Sequence, residues 1–418
     1  MSHTAYDVRY VAWLMTIGLA AALALALLGQ VTGRISVNNG YGYDGEHYVR
    51  MIESGFKRGT PSMRLRPVVL LINDEVNYHF FHNALATFRA MNLVYAFWLA
   101  VILADLCLRY EATRAAAAVL VLNLSLCISV AKMFAFYPAL VDLGAYAFMA
   151  ASVLAIVSGR RLAIVATTIV AVLSREFAVV TVFFGIVRDL RQGRSLRVVA
   201  ATYTPAVVAF FWIRRFARSY SVGPEVNEPV LSLGGLVTAL MKNTEWWFDP
   251  AYAAFWLYFA ATLFGGVSLL LLTTMTPLSR GLRREPEWLA MIVPIVAVTA
   301  LGYIDTWRYG AFLLPVVPPL WAWSVSTVQP GRQRLLFIAV SAATIATQRP
   351  WQHMDLASYF RDWFPYYLVI ENRGTALETL WPVWRAYIAV ALVSLVVLGI
   401  LRARAAAGAP RVLQPVVE

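Results

Sequence analysis

A carboxylate flanked by glycines is the first place in this chain where chemistry suggests itself. In Asn39-Gly40-Tyr41-Gly42-Tyr43-Asp44-Gly45-Glu46-His47-Tyr48, Gly42 and Gly45 permit a tight turn that presents Asp44. A carboxylate held this way suits a general base that takes a proton from an attacking hydroxyl. It equally suits the cap of a helix beginning near Glu46, and spacing alone leaves both roles open. Glu46 is a second acid or a hydrogen-bonding support. Asp142, in Phe136-Tyr137-Pro138-Ala139-Leu140-Val141-Asp142, opens an apolar run, where a carboxylate is costly and marks function or a helix start. Lys132 is a candidate partner for it. Arg175 and Glu176 interrupt the apolar stretch 163–184, and Asp305-Thr306-Trp307-Arg308-Tyr309 stands at another corner. The planar fork of a guanidinium suits phosphate, so Arg175, Arg308 and the Arg66 of Arg66-Pro67 are candidate phosphate contacts. For Arg175 and Arg308 the alternative is a solvated charge at a hairpin tip. His79 and His82 lack an HExxH context and read as interfacial residues, and no nucleotide-binding glycine motif is present.

The elements that position these residues are membrane helices. Of 418 residues, 60% are hydrophobic and only 14% charged, against about 25% charged in soluble domains. Apolar runs cover 11–30, 91–108, 115–131, 140–157, 162–173, 177–187, 198–213, 252–274, 289–301, 312–328, 335–346 and 387–401. Several are short for a hydrocarbon core, and the pair around Ser174-Arg175-Glu176 also suits a re-entrant hairpin. The expected fold is all-α: a polytopic membrane protein of roughly 10–13 transmembrane helices, with interfacial helices in its outer loops. The first run is expected to be a retained span and not a signal peptide. A single transmembrane domain is expected over 1–404, with outer loops at 31–90, 214–251 and 348–385. The cytoplasmic tail 405–418 is expected to be disordered.

The net charge of +12 fits loops that orient spans and touch anionic lipid, so no nucleic-acid partner is expected. Cys107 and Cys127 fall in apolar runs, which argues against a disulfide framework. Short arginine-bearing connectors at 109–114, 160–161, 188–197, 280–284, 332–334 and 402–404 are assigned to the cytoplasm. Asp44, Glu46, Arg66, Lys132, Asp142, Arg175, Glu176, Asp305 and Arg308 then fall together on the outer face. Residues 48–56 and 230–247 suit helices lying in the interface plane. The aromatics at 351–367 suit an interfacial belt or a cleft for a lipid-linked substrate.

Taken in order, these features form a pattern: a span, Tyr43-Asp44-Gly45-x-x-Tyr48, Arg64-Leu65-Arg66-Pro67, Tyr137-Pro138 with Asp142, Ser174-Arg175-Glu176, then Arg308-Tyr309 before a proline-rich span. The pattern resembles the GT-C superfamily of integral membrane glycosyltransferases. It is similar to bacterial members with a Tyr-Asp-Gly-x-x-Tyr signature and more distantly to lipid-anchor mannosyltransferases. The resemblance implies a catalytic acid at Asp44, a sugar donor carried on polyprenyl phosphate, and inversion at the sugar. It implies interfacial helices from Glu46 to Phe56, and lipid-phosphate contacts at Arg175 and Arg308. Glu46 or Asp142 would orient the substrates. No cofactor is expected, and a divalent metal bridging Asp44 and Asp142 is not favoured. The acceptor, whether glycan, lipid or protein, is left open, since the soluble outer domain of larger members has no counterpart here. The expected location is the bacterial inner membrane, with the site on its periplasmic or extracytoplasmic face. Two rival readings are a transporter or flippase of lipid-linked substrates and a lipid-linked glycan polymerase or ligase using Arg349, His353, Arg361 and Arg373.

Overall fold

The computed structural model describes residues 7–56, 59–219, 259–260, 262–301, 306–351 and 373–406. Every regular element among them is helical. The helices that matter here are α1 Val8–Val31, α2 Tyr43–Ser54, α3 Pro67–Val76, α4 Ala84–Arg109, α5 Arg114–Leu126, α6 Asp142–Ser158, α7 Arg161–Ser174, α8 Val180–Arg191, α9 Leu196–Ser219, α10 Gly266–Thr273, α11 Met275–Arg284, α12 Leu289–Leu301, α13 Val317–Val325, α14 Pro330–Gln348 and α15 Arg373–Ala406. One continuous apolar core joins them, from Leu14 on α1 to Ala405 on α15.

Four helices among the described residues are long and apolar enough to cross a membrane: α1, α4, α9 and Arg385–Ala405 of α15. A fifth crossing forms if α5 and Ile128–Phe136, bent by 58° at Cys127, count as one span. α6, α7 and Pro286–Thr299 are apolar but shorter. The protein is therefore all-helical over its described residues and carries several membrane-length apolar helices.

Several expected boundaries shift. The run at 115–131 is broken at Cys127, whose extended backbone ends α5 before a wide turn at Ile128–Lys132. Side chains and carbonyls from elsewhere satisfy the backbone and polar groups near this break. Gln348 Oε1 accepts from Ile128 N at 2.9 Å, and Ser129 Oγ donates to the Leu263 carbonyl at 2.7 Å. Such external pairing is what lets a helix break inside an apolar bundle. The run at 177–187 starts as a 3-10 turn, Glu176–Val179, before α8. α9 continues through Arg214 to Ser219, with Pro205 inside it, so the second outer connector begins later than expected. Asp305, the rest of that connector, 352–372 and the tail from 407 lie outside the described residues.

Two clusters of buried ion pairs stand at opposite ends of the bundle. At one end Arg188 pairs with Glu285 at 3.4 Å and Glu287 at 3.1 Å, and Arg191 also pairs with Glu287. Tyr110 Oη and Trp288 Nε1 donate to Glu285. The other end carries Asp44, Arg66, Asp142, Arg175 and Arg308.

Candidate functional site

The connector after α1 is built to bring Asp44 inward. Asn38 and Asn39 take left-handed backbone conformations, and Gly42 follows with φ 76°. Asn and Gly tolerate such angles better than other residues. α2 then starts at Tyr43, with Gly42 at its N-cap. This corrects two expectations. Asp44 is not on an open turn, and it does not cap the helix; it sits within the first turn. The Gly45 amide, one of the orphan donors of that turn, donates to Tyr137 Oη at 2.9 Å. A Cβ on Gly42 would fall 2.4 Å from the Tyr137 ring, and one on Gly45 2.8 Å from Ala139 Cβ. The two glycines therefore matter as much for close approach to 137–139 as for backbone freedom. Sequence reasoning paired Tyr137 with Asp142 as a motif and missed this contact.

Glu46 does not join Asp44. Its carboxylate accepts from Asn38 Nδ2 at 2.6 Å and pairs with Arg50 one turn on. It fastens the connector to α2, so of its two expected roles the contacts fit the hydrogen-bonding support and not a second acid beside Asp44.

Asp44 instead meets a residue from the far end of the chain. Arg308 Nη1 donates to Asp44 Oδ2 at 3.0 Å, and Arg308 Nη2 to Asp142 Oδ2 at 2.7 Å. The second Asp142 oxygen lies 2.7 Å from Arg175 Nη1. Asp142 stands in the first turn of α6, and Arg175 ends α7. Tyr146, one turn beyond Asp142, donates to the Arg308 carbonyl at 2.7 Å and holds that backbone in place. Arg66, just before α3, contacts Glu176 at 3.6 Å and donates to Tyr48 Oη. Three arginines and three carboxylates thus form a charge-balanced group.

This arrangement corrects the reading of Arg175 as a solvated hairpin tip: it is 1% exposed. Lys132 is not the partner of Asp142, because its Nζ donates to the Arg349 carbonyl at 2.7 Å. The place between Asp44 and Asp142, where a bridging metal was weighed, is filled by the Arg308 guanidinium.

Exposure separates the two aspartates. The Asp142 side chain is 0% exposed and Asp44 32%. Only Asp44 of the pair can meet an incoming molecule. Burial pushes its carboxyl up, but Arg308 and then Arg66 outweigh it and hold the group below the ordinary carboxylate range. Burial pushes the Tyr48 hydroxyl up to about 12, so it stays protonated beside Arg66.

Fold and site together define a helical protein of membrane character with an ion-paired polar centre at one end of its bundle. No protein-family model, curated protein or solved structure matches this chain.

Proposed function

We propose that the chain is an integral membrane glycosyltransferase of the GT-C type. In this reading it moves a sugar from a polyprenyl-phosphate donor to an extracytoplasmic acceptor with inversion. The observation that carries the reading is the joining of Asp44 to Arg308 and, through it, to Asp142, contacts that span 264 and 166 positions of sequence. Three distant connectors are brought to one point, and of the three described carboxylates there Asp44 is the most open, 32% exposed against 23% for Glu176 and 0% for Asp142. Buried ion pairs add little net stability against apolar packing, so a bundle gains little from such a centre unless it serves a further purpose.

The described helices order into about twelve passes on this reading, the shorter ones included. The Asp44 end faces outward, and the Arg188–Glu287 end faces the cytoplasm of a bacterial inner membrane.

Asp44 accepts the proton of the acceptor hydroxyl. The acceptor oxygen bonds to the sugar C1 as the bond from C1 to the phosphate oxygen breaks, and that bonding pair leaves on the phosphate. No nucleotide is required, because the carrier lipid stores the activation. A carboxylate held low by Arg308 is a weak base, so the Asp44–Arg308 contact must loosen when substrates bind. Arg308 keeps Asp142 as its partner in that state. Asp142 and Arg175 are positioning residues, closed to solvent, that hold Arg308 at the correct depth.

A transporter of lipid-linked substrates is the second reading, favoured by the 58° break at Cys127, since broken helices line transport sites. One assay separates the two. Purified protein is incubated with a panel of polyprenyl-phosphate sugars and candidate acceptors, and free polyprenyl phosphate is measured. Release by the natural chain and none by Asp44→Asn supports the transferase. Equal release by both removes Asp44 from the base role, and movement of intact donor between leaflets without release favours the transporter.

A further inference from the structure

Among the described residues, Lys132 and Arg349 at the outer end of the bundle face no carboxylate. Lys132 is 1% exposed, yet among the described residues its only hydrogen bond is the one to the Arg349 carbonyl at 2.7 Å. An ammonium has three protons to donate, and a buried charge without a counter-ion is expensive. Arg349 follows α14 in a left-handed conformation, φ 42°, and its guanidinium lies 4.0 Å over the Tyr387 ring. Neither side chain enters an ion pair with another described residue. Arg66, Arg175 and Arg308 differ in this respect, since each already pairs with a carboxylate. A phosphate approaching those three must displace a carboxylate, whereas at Lys132 and Arg349 it supplies the missing charge.

An apolar groove starts beside this pair. It lies between α14 and α15, has a volume of about 460 Å³, and is lined by Ala339, Ala342, Ala346, Val390, Val393 and Val397 among others. Ala346 is three residues before Arg349, and Val390 is three residues after Tyr387, so the two cations stand about one helical turn beyond the end of the groove. At 1.5 Å per residue the groove runs about 10 Å along the helices, room for the first part of one hydrocarbon chain. Its α15 wall belongs to a membrane-length apolar helix, and Val393 and Val397 are exposed on it.

We propose that Lys132 and Arg349 bind the phosphate of a single-chain lipid phosphate monoester whose chain lies in the α14–α15 groove. In the transferase reading, on which this assignment rests, that lipid is the polyprenyl phosphate that leaves. Two uncompensated cations match the near-double negative charge of a monoester better than the single charge of a phosphodiester lipid. The arginines around Asp142 are then left to position Asp44.

The test is titration of the purified full-length protein with undecaprenyl phosphate, read by native mass spectrometry. Saturable binding is expected, weakened at least tenfold in Lys132→Gln and in Arg349→Gln, and weakened also in Ala342→Phe, which fills the groove. Asp44→Asn should bind as the natural chain does. Arg349 is partly exposed, so its variant remains informative if loss of the buried Lys132 impairs folding. Unchanged binding in Arg349→Gln and in folded Lys132→Gln overturns the proposal. So does equal competition by phosphatidylglycerol, which marks a general anionic-lipid surface, and so does equally tight binding of inorganic phosphate, which marks a site without a chain. Binding as expected without sugar transfer from any donor would sink the transferase reading and leave the site standing. Asp44-dependent transfer with binding indifferent to Lys132 and Arg349 would do the reverse.

Discussion

Arg308 and Asp44, 264 positions apart, meet at 3.0 Å, and the same guanidinium holds Asp142 at 2.7 Å with its other terminal nitrogen. A planar fork can serve two carboxylates at once, and a lysine cannot keep that geometry. Arg308→Lys is therefore expected to keep the charge and lose the bridge. Transfer by folded protein should fall at least tenfold, about 1.4 kcal/mol in the barrier. Retention of full activity would show that the double contact is dispensable.

Asp142→Asn should act on folding. The change leaves Arg175 and Arg308 facing a neutral amide in a site closed to water. Breaking one partner of a buried pair costs about 3–5 kcal/mol, so thermal unfolding in detergent should shift markedly downward. Asp44→Asn, at the more open end, should shift it much less while removing transfer. Equal destabilisation by the two variants would argue against dividing the roles in this way.

The acid behaviour follows from the sign of the Asp44 shift. Its carboxyl is held below the ordinary range when folded, so the Asp44 contribution to stability is present above the unfolded-state value and is lost as pH falls through the folded value. Activity should accordingly stay level from neutral pH down to the ordinary carboxylate range, with its acid limb below that. Arg308→Met removes the main opposing charge and should move the limb upward. A pH–rate profile of kcat/KM, which reports the free enzyme, checks this for both proteins, and coincident limbs would remove Arg308 as the cause.

Gly42→Ala meets two obstacles, a backbone at φ 76° and a Tyr137 ring 2.4 Å from the new methyl. A cost of about 1–3 kcal/mol is expected from the backbone alone. Activity should fall as α2 is pushed off Tyr137. Adding Tyr137→Ala should recover part of the stability, and a double-mutant cycle with no coupling would contradict the contact.

Glu287→Gln tests the opposite end. Glu287 is shared by Arg188 and Arg191, and only the first of these arginines is well buried. Stability should fall by up to about 3 kcal/mol, with specific transfer activity unchanged because this cluster lies away from Asp44. A loss of turnover per folded molecule would imply coupling between the two ends.

Much of this architecture can be read along the chain. Apolar composition and run length specify helices in an apolar medium, because a backbone there must pair with itself. Each expected run coincides at least in part with a described helix; Asp142, Arg175 and Glu176 stand out as polar residues in apolar runs, Asp44 by its flanking glycines, and Arg66 and Arg308 as guanidiniums suited to phosphate. Pairing was another matter. Residue type does not say which carboxylate an arginine will meet, so Lys132 was matched to Asp142, Glu46 was set beside Asp44, and three arginines were assigned to phosphate. Packing of α2 on Tyr137, of α6 on α7 and of the Thr306–Gly310 turn over Tyr146 decided that Arg308 serves two aspartates. It also left Lys132 and Arg349 without a carboxylate partner among the described residues. Hydrophobicity and helical period are local properties, carried by each segment alone. Ion pairing depends on which segment ends converge, and that is settled only when the whole bundle closes.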